Sequence, residues 1–128
     1  MSDSYKKAVG GLGEKAAVVY LKKQKYKILD TNYSTKYGEI DIICCNKEYI
    51  VFVEVKTRKK DSLVKGVYAV DWCKQQHIIK NAYLYLETNK VNKQPRFDII
   101  EVEYSCDDYS VINHYIDAFT QGGEYAIF

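Results

Sequence analysis

The chain has 128 residues, 47% hydrophobic and 28% charged, the balance of one ordinary globular domain. No apolar run approaches the roughly 18 residues of a membrane span, and the opening "MSDSYKKAVGGLGEKAAVVYL" carries Glu14 and Lys15 inside it and no clean apolar stretch, so neither a membrane segment nor a secretory signal is expected and the predicted location is cytoplasmic. The net charge of +2 is uneven, with 13 Lys/Arg against 7 Asp/Glu in residues 1–60 and 6 against 10 in residues 61–128; a basic first half suits a polyanion, although a solvated lysine face has the same charge.

Residues 4–23 predict a helix from their apolar spacing, with Gly10, Gly11 and Gly13 placed against propensity. Residues 26–33 read as a strand, and 38–45 with 49–57 as a hairpin across "NKE". "KKDSLVKG" is a polar loop. Residues 68–88 read as a second helix whose apolar side includes Ala69, Val70, Cys73, Ile78, Ala82, Tyr85 and Leu86. Residues 96–104 and 109–115 read as closing strands, "IDAF" as a short helical turn, and 120–128 as a tail with Tyr125, Ile127 and Phe128 available to dock. Helix, three strands, helix, two strands make an α/β sandwich of one domain, 1–128. "IVFVEV" is apolar on both faces, as in a strand covered on both sides. Cys44, Cys45, Cys73 and Cys106 form no C-x-x-C pair, so reduced and mostly buried thiols are expected.

The hairpin carries charges among residues fit for a core. Side chains alternate along a strand. Regular alternation places Glu39, Asp41 and Ile43 on one face of the first strand and Phe52, Glu54 and Lys56 on one face of the second. An even index sum between paired residues strands each charge beside an aliphatic group, and the desolvation penalty disfavours it. A four-residue loop, Asn46–Tyr49, gives a sum of 95; a two-residue loop gives 93. The sum of 95 is preferred because it also pairs Ile43 with Phe52. It opposes Asp41 to Glu54 and Glu39 to Lys56. Facing carboxylates repel unless a cation lies between them, and Lys56 offsets only one charge. A hard divalent ion such as Mg²⁺ does more. The bland alternative is a structural ion-pair cluster, Glu39 with Lys56 and Asp41 with Arg58.

Asp41, Glu54 and Lys56 form a D-x(n)-E-x-K pattern that resembles the catalytic core of restriction-endonuclease-like nucleases. With "G-E-x-x-A", "N-Y…G-E-I-D-I-I", "V-F-V-E-V-K-T-R", "K…A-Y-L-Y-L", "R-F-D-I-I" and "I-N-H-Y-I-D-A-F", the chain resembles the YraN-like family of small bacterial proteins over about residues 8–119. The resemblance implies a restriction-endonuclease-like α/β sandwich, a central mixed five-stranded sheet flanked by helices, similar to archaeal Holliday-junction resolvases. It implies an endonuclease dependent on Mg²⁺ or Mn²⁺, acting on DNA with branched DNA among the candidate substrates, and a homodimer by analogy. Ile40 stands where the superfamily usually has proline.

On this reading Asp41 and Glu54 bind metal, with Glu39 beside them, and Lys56 positions the attacking water. Glu14 matches the first-helix glutamate of resolvase-like members. Gly10, Ala17, Val18 and Leu21 lie within about 60° of it, and small Gly10 and Gly11 permit close approach. Arg58, Lys59 and Lys60 suit backbone phosphates, and Lys74 approaches phosphate by family position. Cys73 and His77 are read as packing rather than a nucleophile pair. Arg96 and Asp98 are expected to pair, and His114 to be satisfied or on the surface. The alternative function is a non-catalytic nucleic-acid-binding or adaptor module on the same fold, and a third reading is a protein-interaction domain.

Overall fold

The computed structural model describes residues 3–62 and 71–120. Its elements are α1 (Asp3–Lys23), β1 (Lys27–Thr35), β2 (Gly38–Cys45), β3 (Tyr49–Lys59), α2 (Trp72–Asn89), β4 (Gln94–Ser105) and β5 (Asp108–Phe119). The five strands form one sheet in the order β1-β2-β3-β4-β5. Neighbours are antiparallel except β3 and β4, which run parallel. A parallel pair needs a long crossover, and α2 lies within it. The fold is therefore a mixed five-stranded α/β sheet with two helices, as the sequence predicts. Ala69 and Val70 of the expected second helix, residues 63–66 of the "KKDSLVKG" loop, and Tyr125, Ile127 and Phe128 lie outside the described residues.

Two cores sandwich the sheet. Ala17 and Leu21 of α1 pack with Ile42, Cys44, Val51, Val53, Val55, Ile100 and Val102. Ile78, Ile79, Ala82 and Tyr85 of α2 pack with Ile40, Ile43, Ile50, Phe52, Phe97, Ile99 and Phe119. The apolar residues of β3 alternate between these cores, so burial on both faces accounts for its nearly unbroken hydrophobic run. Each fully buried Val, Ile or Leu contributes about 1.5–3 kcal/mol. Asp71 caps α2, its Oδ1 accepting the Lys74 backbone N–H at 2.9 Å. That satisfies one of the donors a helix start leaves unpaired.

The hairpin takes the predicted register. Ile42, Ile43, Cys44 and Cys45 oppose Val53, Phe52, Val51 and Ile50. The paired residues stop there, and regular alternation in β2 breaks too. Ile42 belongs to the α1-side core, whereas Ile40 joins Ile43 in the α2-side core. The expected pairings of Asp41 with Glu54 and Glu39 with Lys56 are not part of the ladder. The Val55 N–H instead donates to Asp41 Oδ2 at 2.8 Å. Asn32, with φ of 52°, falls between the β1–β2 pairs Thr31↔Ile42 and Tyr33↔Ile40. Asn tolerates that left-handed conformation better than most residues. The break converts a continuous hairpin into a fork with Asp41 in its opening.

Three other expectations change. "IDAF" is strand: β5 continues to Phe119, bent where Asp117 takes φ of 56° and donates its N–H to Asp98 Oδ1 at 3.0 Å. The close-approach glycine is Gly13, where a Cβ would overlap Thr57 Oγ1; Cβ atoms at Gly10 and Gly11 would meet nothing within 4 Å. Only Cys44 and Cys45 are buried; Cys73 and Cys106 are exposed.

Candidate active site

The fork gathers acids from three elements. Gly13 lets α1 press against β3 at Thr57, which brings Glu14 toward the sheet. Oxygens of Glu14, Glu39 and Asp41 lie within 4.8 Å of one another. The Asn32 amide, oriented with its nitrogen toward the acids, donates to Glu14 Oε1 and Glu39 Oε1 at 2.8 Å each. The Ser34 hydroxyl donates to Glu39 Oε2 at 3.3 Å.

Glu54 enters from β3 and is only 5% exposed. Its Oε1 faces two ammonium groups, Lys56 Nζ at 3.3 Å and Lys74 Nζ at 3.1 Å. Its Oε2 is buried with no hydrogen-bond partner. An unpaired carboxylate oxygen in the interior is costly, and an oxygen-seeking cation would relieve it. Asp41 and Glu54 line two clefts. One, of about 390 Å³, also includes Glu14, Thr57 and Lys59. The other, of about 420 Å³, runs past Lys74 and His77 to Tyr37 and Asn81.

The electrostatics point the same way. Burial, and then the Glu54 charge, push the Asp41 carboxyl up to about 8, against the opposing Val55 N–H bond. Burial raises Glu14, and the charges of Glu39 and Glu54 add to it. Burial lowers the Lys56 ammonium, and nearby Lys74 lowers it further against the pull of Glu54. Burial also disfavours the charged form of Lys74, but Glu54 outweighs it and the result is a raised value. The two lysines share one carboxylate yet shift in opposite directions. Lys56 is 17% exposed and Lys74 41%, so solvent supports the charge of Lys74 more. Glu14, Glu39 and Asp41 are closely spaced, Glu54 acts on Asp41 through its charge and keeps an orphaned oxygen, and such a set fits a divalent cation.

The structure thus brings Glu14, Glu39, Asp41, Glu54, Lys56 and Lys74 together. Lys59 lines the α1-side cleft, and Lys60 is exposed. Arg58 is diverted: its Nε lies 3.2 Å from Glu101 Oε2 and its Nη2 3.1 Å from Glu103 Oε2, leaving it poorly placed to take a phosphate. The expected bland pairs, Glu39 with Lys56 and Asp41 with Arg58, are not among the ion pairs of the described residues. Cys73 and His77 are exposed rather than packed, and His77 lines the second cleft. Asn32 and Asn81 escape sequence reasoning. Their only signal is an amide residue amid a strand or helix, which is common on surfaces.

Away from the fork, Arg96 pairs with Asp98 through Nε–Oδ1 at 2.9 Å and Nη2–Oδ2 at 2.8 Å. His114 Nε2 lies 2.7 Å from Asp98 Oδ2, and its Nδ1 lies 2.9 Å from the Tyr20 hydroxyl. Burial alone would raise Asp98, but hydrogen bonds from His114, Arg96 and the Asp117 N–H hold it below the usual carboxylate range. His114 is thus a satisfied histidine, and the cluster ties α1 to β4 and β5.

Fold and site together define an α/β protein with a carboxylate and lysine cleft at the fork of a β-hairpin. The chain belongs to the uncharacterised protein family UPF0102, whose family model matches residues 13–102; this is the YraN-like family. It is 47% identical over 117 residues to a UPF0102 protein of Caldanaerobacter subterraneus subsp. tengcongensis, covering 89% of this chain and 96% of the relative. It is 44% identical over 116 residues to a UPF0102 protein of Alkaliphilus oremlandii, covering 88% and 98%. A UPF0102 protein of Clostridium acetobutylicum is 41% identical over 114 residues, covering 88% and 87%. Among the described residues no helix is long and apolar enough to cross a membrane.

Proposed function

We propose that the chain is a divalent-metal-dependent endonuclease that hydrolyses phosphodiester bonds in DNA, with branched DNA as a substrate. The observation that carries this is Glu54: a buried carboxylate with one oxygen shared by two lysines and the other unpartnered, beside an Asp41 carboxyl pushed up to about 8. Asp41 and Glu54 hold Mg²⁺ or Mn²⁺, and Glu39 and Glu14 support the site. A metal bound there neutralises phosphate charge and makes a bound water more acidic.

The chain's own groups do the rest. Lys56, held 3.3 Å from Glu54 Oε1, positions the attacking water and stabilises the charge that develops on the phosphate. Lys74 stays charged and faces phosphate oxygen. Lys59 and Lys60 contact backbone phosphates, whereas Arg58 braces β3 against β4. Asn32 keeps the Glu14 and Glu39 carboxylates in place.

The test is cleavage of a panel of branched, nicked, single- and double-stranded DNA during Mg²⁺ and Mn²⁺ titration. Activity should appear with metal and disappear in Glu54→Gln and Lys56→Ala, with folding intact by circular dichroism. Metal-independent cleavage surviving both substitutions overturns the mechanism. Salt-sensitive binding without hydrolysis under any divalent metal favours the non-catalytic module instead.

A further inference from the structure

The second cleft holds a polar feature that phosphodiester hydrolysis does not use. Asn81 on α2 is 1% exposed. The Tyr37 backbone N–H donates to Thr35 Oγ1 at 3.1 Å, and the Thr35 hydroxyl donates to Asn81 Oδ1. In this arrangement the amide has its oxygen satisfied and its nitrogen free. Asn81 Nδ2 is buried with no hydrogen-bond partner, in the wall of the cleft that Asp41, Glu54 and Lys74 also line. An orphaned buried donor beside a reaction centre calls for an acceptor from a ligand.

Two further features describe that ligand. Tyr37 lines the same cleft, with Lys36 Nζ 5.3 Å and Lys80 Nζ 5.6 Å from its ring centroid. An aromatic face flanked by flexible cations is the combination that stacks a base and attracts its strand. Gly38, at φ of 123°, has no side chain, and a Cβ there would point to within 4.0 Å of Asn81 Nδ2. The mouth of the cleft is thus kept open where a side chain would narrow it.

We propose that this cleft receives one unpaired nucleobase of the DNA strand whose phosphate lies at Glu54 and Lys74, stacked against Tyr37 and hydrogen-bonded by Asn81 Nδ2. This deepens the nuclease reading and rests on it for the identity of the strand. A base held in a duplex stack cannot reach a buried amide, whereas a single-stranded or extruded base can. Every DNA base offers at least one acceptor, so a lone N–H donor selects for unpairing more than for sequence. One flexible lysine yields to the base and keeps its charge near the backbone.

Fluorescence anisotropy without divalent metal tests this. The probes are labelled single-stranded DNA, a fully paired duplex, and the same single strand with abasic sites. Wild type should prefer the normal single strand over the abasic one by about ten-fold or more, given the usual worth of base stacking. Tyr37→Leu should lose that preference, Tyr37→Phe should keep it, and duplex affinity should stay level in both. Asn81→Leu should weaken single-strand binding as well. Tyr37→Leu alters only a half-buried position and remains informative where Asn81→Leu unfolds, which thermal melting reveals. Equal affinity for normal and abasic strands overturns the inference and shows recognition of phosphate alone. Metal-dependent cleavage in that case would leave the nuclease reading standing. Base-dependent binding without cleavage under any metal would instead uphold the cleft and sink the nuclease reading.

Discussion

Replacing Asp41 by Asn should stabilise the protein, and should do so only above acid pH. An acid whose folded-state pKa lies above its unfolded value opposes folding once the unfolded chain ionises. For Asp41 those values are about 8 and 3.8. The cost is therefore absent below about pH 4, grows through the interval, and is full above about pH 8. At about 1.4 kcal/mol per pH unit the upper limit is about 6 kcal/mol. Asp41 keeps partial contact with solvent, and screening brings the expected gain to about 2–3 kcal/mol. The carboxamide oxygen of the variant can still accept the Val55 N–H, so the bond that holds the fork survives. Thermal melts with chelator present should place Asp41→Asn about 6–15 °C above wild type near pH 8, and level with it near pH 4. Added Mg²⁺ or Mn²⁺ should raise the wild-type melting temperature at pH 8 and leave Asp41→Asn nearly unchanged. A variant that melts below wild type equally at both pH values would refute the argument that Asp41 is a destabilised, cation-seeking carboxylate.

Gly13→Ala should cost about 1–3 kcal/mol in urea unfolding, since the new Cβ overlaps Thr57 Oγ1; Thr57→Ala in the same chain should recover part of the loss, and Gly10→Ala should not destabilise through any such clash. Asp98→Ala should cost about 3–5 kcal/mol, because it strands the buried Arg96 guanidinium; a loss below about 1 kcal/mol would mean that the cluster does not brace α1. Under native conditions a thiol reagent should label Cys73 and Cys106 quickly and spare Cys44 and Cys45, with the Cys44 thiol further protected by burial that pushes it up to about 12; rapid labelling of all four would contradict the buried placement of β2.

Much of the site is legible in the amino-acid order. Asp41 and Glu54 stand out because they interrupt apolar strands, and desolvation cost is a local argument. Lys74 is suggested by resemblance and by its place one turn from Val70 and Ile78, but its bond to Glu54 depends on where α2 crosses the sheet. Arg58 misleads for the opposite reason. Its position after the hairpin suggests a free cation, but the parallel pairing of β3 with β4 sets it opposite Glu103 and beside Glu101. The "IDAF" strand escapes a pattern reading because a bulged edge strand breaks the two-residue period that marks strands in sequence.

By itself the sequence determined the order of elements, the two-sided burial of β3 and the hairpin register, because each follows from side-chain alternation and turn length over a few neighbouring residues. Tertiary structure alone decided where the β2–β3 ladder opens, that Gly13 rather than Gly10 or Gly11 meets Thr57, and that Asn32 and Asn81 face the fork. Those outcomes depend on contacts between segments far apart in the chain, and the geometry of such contacts exists only once the helices have settled on the sheet.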